Sequence, residues 1–241
     1  MYAIGGIIGD MVGEPYEFLR NMKTKDFLFL DKKYNTFTDD SVMTLAIADG
    51  ILSAGIHAEN SVVKEAIKER MIHLGRKYRD AGYGGNFIGW LFSPCPQPYN
   101  SWGNGSAMRV GLIPWLYMDN LEKCLEMAAL QAELTHNHPE GIKGAISIAH
   151  VTWLALHGID KEKITDIVRD KYYALKESCD SIREWYRFDV SCQGTCPVAI
   201  QCFLEATNYE DAVRLAISMG GDADTLGCIT GTMAEAYYGV P

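Results

Sequence analysis

The chain has 241 residues, of which 48% are hydrophobic and 22% charged, and its formal net charge is −9. This is ordinary globular composition with enough apolar material for one sizeable core. The acidic balance argues against a nucleic-acid surface, because such surfaces carry a basic footprint. The apolar stretches fall short of the roughly 20 residues that a membrane span needs, so no transmembrane helix is expected.

The N-terminal segment lacks the basic region of a secretory signal and reaches an acidic residue at Asp10, which favours a cytoplasmic protein. The seven cysteines are scattered in a chain that is long enough to fold without disulfides, so reduced thiols are expected. Cys192, Cys196 and Cys202 raise the alternative of a structural zinc site, although their spacing resembles no zinc ribbon or finger.

Helical periodicity dominates the chain, which predicts an all-α protein of one domain, residues 1–241, with two small domains as the alternative. Glycines at positions 5, 6, 9 and 13 are costly in a helix, about 1 kcal/mol each, and indicate close packing or ligand approach. Asp39 and Asp40 open a helix of about four turns. Further helices are predicted over residues 59–78, 107–117, 121–133, 140–156, 161–175, 197–206, 210–218 and 225–238. The predicted irregular segments, where function tends to lie, are 21–38, 80–86, 93–105, 135–139, 189–195 and 219–224.

Two clusters of Thr and Asp stand where a loop enters a helix, at residues 37–41 and 220–225. Each alone is explained by helix capping and by the helix dipole, which favours acidic residues at the N-terminus. Together they offer four carboxylates and two threonine hydroxyls, which are hard oxygen ligands suited to Mg²⁺ or Mn²⁺. Packing the clusters together without a cation would be strongly repulsive. The spacing alone does not show that they meet.

Two middle segments could contact a ligand. The loop Gly103-Asn-Gly-Ser106 enters a helix, and free backbone amides at such a junction can hold phosphate or sugar oxygens. A simple turn with a cap explains it about equally well. His136 and His138 lack the i, i+4 spacing of a helical zinc pair, so a structural or solvated role is the simpler interpretation.

Taken in order, these features resemble the ADP-ribosylglycohydrolase family, from Gly5 to Gly239. The pairing of Phe37-Thr-Asp-Asp with Gly220-Gly-Asp-Ala-Asp-Thr, and Gly103-Asn-Gly-Ser-Ala-Met-Arg between them, is a specific signature. The resemblance implies a compact orthogonal helical bundle with a central dimetal cleft. It also implies hydrolysis of the glycosidic bond at the distal ribose of an ADP-ribosylated protein or small ADP-ribosyl conjugate.

The same resemblance implies roles for individual residues. Two Mg²⁺ or Mn²⁺ ions would be held by Thr38, Asp39, Asp40, Asp222, Asp224 and Thr225, with Asp224 bridging the ions. Glu17 matches the glutamate proposed to act near the scissile bond, and Asp39 and Asp224 complete the implied catalytic centre. The implied ligand-contacting residues are Tyr83, Gly84, Gly103, Asn104, Gly105, Ser106 and His136. Ser41 departs from the Thr of many members but keeps the hydroxyl.

Two alternatives stay open beside this function. One is a catalytically silent ADP-ribose-binding or structural relative, against which the intact acidic clusters and Glu17 argue. The other is a metal-dependent hydrolase of a different nucleoside or phosphate bond. The acceptor linkage and the oligomeric state are left undetermined, because acceptor contacts belong to loops that periodicity does not place.

Overall fold

The computed structural model describes residues 3–19, 22–31 and 33–241. Its helices are α1 Gly5–Gly13, α2 Asp39–Ala54, α3 Asn60–Lys77, α4 Gly85–Phe92, α5 Gly105–Met108, α6 Ile113–Leu116, α7 Leu121–Ala132, α8 Pro139–Leu156, α9 Lys161–Lys171, α10 Cys179–Trp185, α11 Cys192–Glu205, α12 Tyr209–Ile217 and α13 Ala223–Tyr238, with a 3₁₀ turn at Glu14–Tyr16. Within the described ranges, strand pairing is limited to one isolated bridge between Gly103 and Ser191. The all-α prediction is therefore confirmed.

Helix α13 forms the centre of the fold, since every residue from Ala223 to Ala236 is buried. It packs along α1 through glycines on both helices. A Cβ atom on Gly5 would lie 2.6 Å from the Gly231 carbonyl oxygen, and one on Gly13 would lie 2.5 Å from the Asp224 Cα. The glycines near the N-terminus thus allow two backbones to touch, and this contact brings the start of α13 beside the end of α1.

The other helices surround this pair. Helices α8, α11 and α12 pack against α13, while α2 packs on α3 and α7 on α8. Buried apolar side chains from Val12 to Ala236 form one continuous core cluster. Across the described ranges, no helix combines the length and the apolar character that crossing a bilayer requires.

The predicted helix 107–117 is wrong as a single element, because it is divided into α5 and α6 by a turn. Gly111 in that turn lies against α13, where a Cβ atom would be 2.7 Å from the Thr232 hydroxyl oxygen. Pro114 stands in the first turn of α6, where its missing N–H is tolerated. The close approach to α13 and the proline together restart the helix.

Other boundaries also differ from the predictions. Helix α11 begins at Cys192 rather than at Pro197, because the Ser191 side chain caps it by accepting a 3.0 Å hydrogen bond from the Gly194 N–H. Helix α9 ends at Lys171, four residues early, and the short helices α4 and α10 were not predicted. Residues 21 and 32 of the predicted irregular segment 21–38 lie outside the described ranges.

Candidate active site

The two acidic clusters meet at the N-termini of α2 and α13. Carboxylate oxygens of Asp10, Asp40 and Asp224 lie within 4.8 Å of one another, and so do those of Glu17, Asp222 and Asp224. Asp224 is the residue shared by both groups. The contact spans 185 positions of sequence, since the Thr225 hydroxyl donates a 3.2 Å hydrogen bond to Asp40 Oδ2.

Helix capping accounts for the first cluster better than for the second. Thr38 is the N-cap of α2, and its hydroxyl accepts a 3.3 Å hydrogen bond from the Asp40 N–H. Asp222 occupies the N-cap of α13 without making a capping bond. Its carboxylate instead accepts a 2.6 Å hydrogen bond from the Asn104 side-chain amide. The Asp222 side chain is thus directed into the site rather than toward its own helix.

Asp10 lies beneath the Thr38 cluster as a fully buried carboxylate. Its Oδ1 accepts from the Thr38 hydroxyl at 2.7 Å, and its Oδ2 accepts from the N–H groups of Thr38 at 2.9 Å and Ser41 at 3.2 Å. The Ser41 hydroxyl also donates to Oδ2. No role was predicted for Asp10 from the sequence. The sequence feature that could have pointed to Asp10 is that it is a lone acidic residue within a glycine-rich apolar segment. Such a residue is expected to be buried, and a buried charge requires partners.

Burial dominates the electrostatics of the acidic site. It raises the pKa of Asp39 to about 8 and the pKa of Glu17 to about 7, and the nearby Asp224 carboxylate adds to both increases. Burial also raises the pKa of Asp222 to about 6. The pKa values of Asp40 and Asp224 rise well above their ordinary range for the same reason.

Among the described residues, no basic side chain neutralises the charge of this site. The ion pairs formed by the described residues involve none of the clustered carboxylates. Asp40 Oδ1 is buried without a hydrogen-bond partner in the described part of the chain. Buried carboxylates in this state need protons or a cation. An oxygen-only donor set with an unpaired buried oxygen fits a hard divalent ion.

The acidic site lines part of a cavity of about 390 Å³. Of the residues implied as ligand contacts, five line this cavity: Gly84, Gly103, Asn104, Gly105 and His136. Two others do not. Tyr83 packs its ring against Phe87 at a centroid distance of 5.3 Å, and the buried Ser106 hydroxyl donates to the Gly141 carbonyl at 2.7 Å. Further lining residues without a predicted role include Tyr99, Ser101, Arg109, Phe188 and Val190.

Arg109 and His136 also line the cavity and belong to a buried polar network. Arg109 Nε donates to Gln131 Oε1 at 2.6 Å, and its Nη2 donates to the Gln131 carbonyl and the Thr135 hydroxyl, both at 2.9 Å. The Thr135 hydroxyl lies 2.7 Å from His136 Nδ1. Burial and the Arg109 charge hold the pKa of His136 well below its usual range, so the imidazole is neutral.

The cysteines do not form the zinc site that the sequence left as an alternative. All seven are unpaired thiols, and the described groups of three metal-competent side chains contain carboxylates alone. Cys192 instead donates a 3.0 Å hydrogen bond to the Gly103 carbonyl. This thiol thus supports the glycine loop that lines the cavity.

The chain thus combines an all-α fold with two adjoining carboxylate groups in one cavity. Comparison with known families identifies the class of protein to which it belongs. The model of the ADP-ribosylglycohydrolase family matches residues 2–241, nearly the whole chain. The chain therefore belongs to the ADP-ribosylglycohydrolase family, which confirms the resemblance seen in its motifs.

Relatives from bacteria and animals cover almost all of the chain. It is 27% identical over 265 residues to the ADP-ribosylarginine hydrolase Tri1 of Pseudomonas putida (strain GB-1), covering 98% of this chain and 69% of that protein. It is 25% identical over 305 residues to the ADP-ribosylhydrolase ARH3 of Homo sapiens, covering 98% and 84%. A solved structure described as an ADP-ribosylglycohydrolase-related protein complex superposes with a TM-score of 0.71 at 24% identity, covering 98% and 85%. That likeness supports the fold.

Proposed function

We propose that this protein is a metal-dependent hydrolase that cleaves the glycosidic bond at the distal ribose of an ADP-ribosyl group on a protein or small acceptor. The observation that carries the proposal is the meeting of two acidic clusters in a ligand-sized cavity. The family membership and the names of the relatives, which are ADP-ribosyl hydrolases, support this substrate class.

We propose that two Mg²⁺ or Mn²⁺ ions are held by Thr38, Asp39, Asp40, Asp222, Asp224 and Thr225. The oxygen-only donor set, the unpaired Asp40 oxygen and the lack of a basic partner for the clustered carboxylates within the described ranges support this assignment. Asp224 suits a shared ligand because it lies in both carboxylate groups. When bound, the ions would polarise and orient the hydroxyls of the distal ribose.

Glu17 suits a proton-transfer role by its position. It follows the 3₁₀ turn after α1, is half-buried, and lines the cavity beside Asp222 and Asp224. A carboxyl group at this edge can give a proton to the leaving group or take one from the attacking water. The same proximity makes Glu17 an alternative cation ligand.

Asp10 suits an orienting role rather than direct binding. Both of its oxygens already accept hydrogen bonds from Thr38, and Oδ2 accepts from Ser41 as well. A carboxylate that orients a ligand residue in this way supports a metal site from behind. Ser41 retains this contact although it replaces the family's frequent Thr.

Glycines give the cavity room for the ligand. Cβ atoms placed on Gly84 and Gly85 would meet nothing within 4 Å, so side chains there would project into open space. Gly82 has φ of +98°, a conformation that favours glycine. We propose that the loop at residues 82–85 and the Gly103–Gly105 loop hold the ADP-ribosyl group through their backbone atoms and their shape.

The test is product analysis with three substrates: ADP-ribosyl-arginine, an ADP-ribosyl-serine peptide and O-acetyl-ADP-ribose. We expect free ADP-ribose from at least one of them with Mg²⁺ or Mn²⁺, no turnover in excess chelator, and recovery when the ion is returned. Asp224→Ala serves as the inactive control. Binding of ADP-ribose without turnover would indicate a silent relative, cleavage elsewhere would indicate a different hydrolase, and full activity in chelator would contradict metal dependence.

A further inference from the structure

Arg109 is a buried cation that forms no ion pair with a carboxylate of the described residues. Its side chain is 1% exposed, and the described ion pairs do not include it. Burial lowers its pKa to about 10, which leaves it charged at neutral pH. Its recorded hydrogen bonds end on neutral acceptors, the Gln131 side chain and carbonyl and the Thr135 hydroxyl. An uncompensated buried charge of this kind is expensive, which favours a role beyond packing.

Chemistry fixes the direction of the first hydrogen bond in the chain that runs from Arg109 through Thr135 to His136. A guanidinium group can only donate, so the Thr135 hydroxyl oxygen must accept at 2.9 Å. The Thr135 hydrogen is then free for one acceptor, and among the described residues His136 Nδ1 lies 2.7 Å from the hydroxyl oxygen, in position to accept it. Nδ1 of a neutral imidazole that accepts a hydrogen bond leaves the ring proton on Nε2.

The Nε2 edge of the ring faces the cavity loop. A Cβ atom on Gly105 would lie 3.1 Å from His136 Nε2, and one on Gly103 would lie 3.5 Å from it. Both glycines and His136 line the cavity. Besides Arg109, the titratable group recorded against the imidazole is Tyr99, with ring centroids 5.9 Å apart. An N–H at Nε2 is therefore available to a ligand at the glycine loop.

We propose that Arg109, acting through the Thr135 hydroxyl, fixes His136 as the neutral Nε2–H tautomer, which donates a hydrogen bond to an oxygen of the bound ADP-ribosyl group. His136 is then a ligand-binding donor rather than a proton-transfer group, and Arg109 and Thr135 are positioning residues. This inference rests on the proposed function, because it takes the ADP-ribosyl group as the ligand.

The test uses the metal-loaded protein with ¹⁵N-labelled histidine. Long-range ¹H–¹⁵N correlation reports which ring nitrogen carries the proton, and His136→Gln identifies the signal among the six histidines. We expect wild type to show Nε2–H without titration from pH 5.5 to 8. Thr135→Val should mix the tautomers and weaken ADP-ribose binding by about three- to tenfold, the contribution of one hydrogen bond. Thr135→Ser, which keeps the hydroxyl, should restore both.

Three results would overturn the proposal: an Nδ1–H ring in wild type, an unchanged tautomer and affinity in Thr135→Val, or no recovery in Thr135→Ser. Thermal melting of each variant separates these outcomes from loss of folding. The tautomer is read in the free protein and does not depend on turnover. Suppose that His136 carries its proton on Nε2 but the protein neither binds ADP-ribose nor produces it from a substrate. That result would overturn the ligand assignment and the proposed function, while leaving the role of Arg109 and Thr135 in fixing the tautomer in place.

Discussion

Two groups of polar residues line the cavity. In the acidic group, carboxylates such as Asp40 and Asp224 crowd together with no basic side chain paired to them in the described ranges. In the Arg109 group, Arg109 is held by Gln131 and Thr135, and His136 is neutral. The acidic group leaves an unpaired buried oxygen on Asp40, whereas the Arg109 group joins its polar side chains to one another.

This difference separates two tasks. The acidic group is completed by something outside the chain, because like charges at these distances repel unless protons or cations neutralise them. The Arg109 group is organised by hydrogen bonds within the chain, so its geometry exists before a ligand arrives. Changes to the carboxylates assigned as metal ligands should therefore alter cation content, and changes to the Arg109 group should alter ligand affinity.

The largest effect should follow from Asp224→Ala compared with Asp40→Ala. Asp224 lies in both carboxylate groups and Asp40 in one, so losing Asp224 should weaken both cation positions. A metal ion contributes several kcal/mol to such reactions, so we expect Asp224→Ala to lower kcat at least about 10³-fold. Metal stoichiometry by mass spectrometry and kcat on the same samples provide the measurement. Equal and mild losses in the two variants would show that Asp224 is not shared.

Glu17→Gln should have the next largest effect. The amide keeps the shape of the side chain but cannot exchange the proton, so turnover should fall by roughly 10² to 10⁴ while ADP-ribose affinity is kept. Calorimetry with ADP-ribose and a turnover assay on one preparation measure the two quantities. Wild-type turnover would remove Glu17 from the mechanism. Loss of bound metal would reassign it as a ligand beside Asp222 and Asp224.

Asn104 tests whether a residue of the glycine loop contributes to metal binding at the acidic site. It belongs to the glycine loop, yet its amide donates to Asp222 at 2.6 Å and to Thr195 at 3.1 Å. Asn104→Ala should therefore lower metal affinity by about 10- to 100-fold, as loss of a group that orients a ligand does. Ser101→Ala, on the same loop, is the matched control and should leave metal affinity unchanged. Equal metal affinity in both variants would show that Asn104 does not contribute to metal binding.

The same division governs how far the sequence predicts the site. The Thr38 and Asp222 clusters are visible because each places its oxygens in one short segment at a helix start. Asp10 is not, because its partners lie 28 and 31 positions away. Its burial follows from the contact of α1 with α13, which a periodicity of single helices does not reveal.

The Arg109 group is predicted less well for a related reason. The motif containing Arg109 is visible, but its partners come from α7 and the segment after it, as Gln131 and Thr135 show. The break between α5 and α6 arises from the approach of Gly111 to Thr232, a contact between distant parts of the chain. Long, regular helices such as α3 and α8 are predicted within one residue because local sequence periodicity determines them, with a His138 cap at the start of α8.

The smallest effect should be on thermal stability. It compares the acidic group and the Arg109 group most directly. Without cations, burial raises the pKa of Asp222 to about 6 and of Asp39 to about 8, from an ordinary value of 3.8. The folded state then binds more protons than the unfolded state across this window, so these groups stabilise the fold below about pH 4. That contribution is lost as pH rises through about 6 and about 8. Cation binding favours the ionised carboxylates and should therefore stabilise more at high pH.

We accordingly expect the difference in Tm between Mg²⁺ and chelator to widen from pH 5.5 to pH 8.5. At a hundredfold excess over the Kd, one bound ion contributes about 2.7 kcal/mol, which is about 5 to 10 °C for a chain of this size. His150 changes stability in the opposite sense, since burial lowers its pKa to about 4, but it does so equally with and without the ion. Asp39→Asn should flatten the pH dependence in chelator, and Arg109 network variants such as Thr135→Ser should leave the metal-dependent difference intact. A difference in Tm that stays constant or narrows with pH would mean that the carboxylates are neutralised by something other than a bound cation.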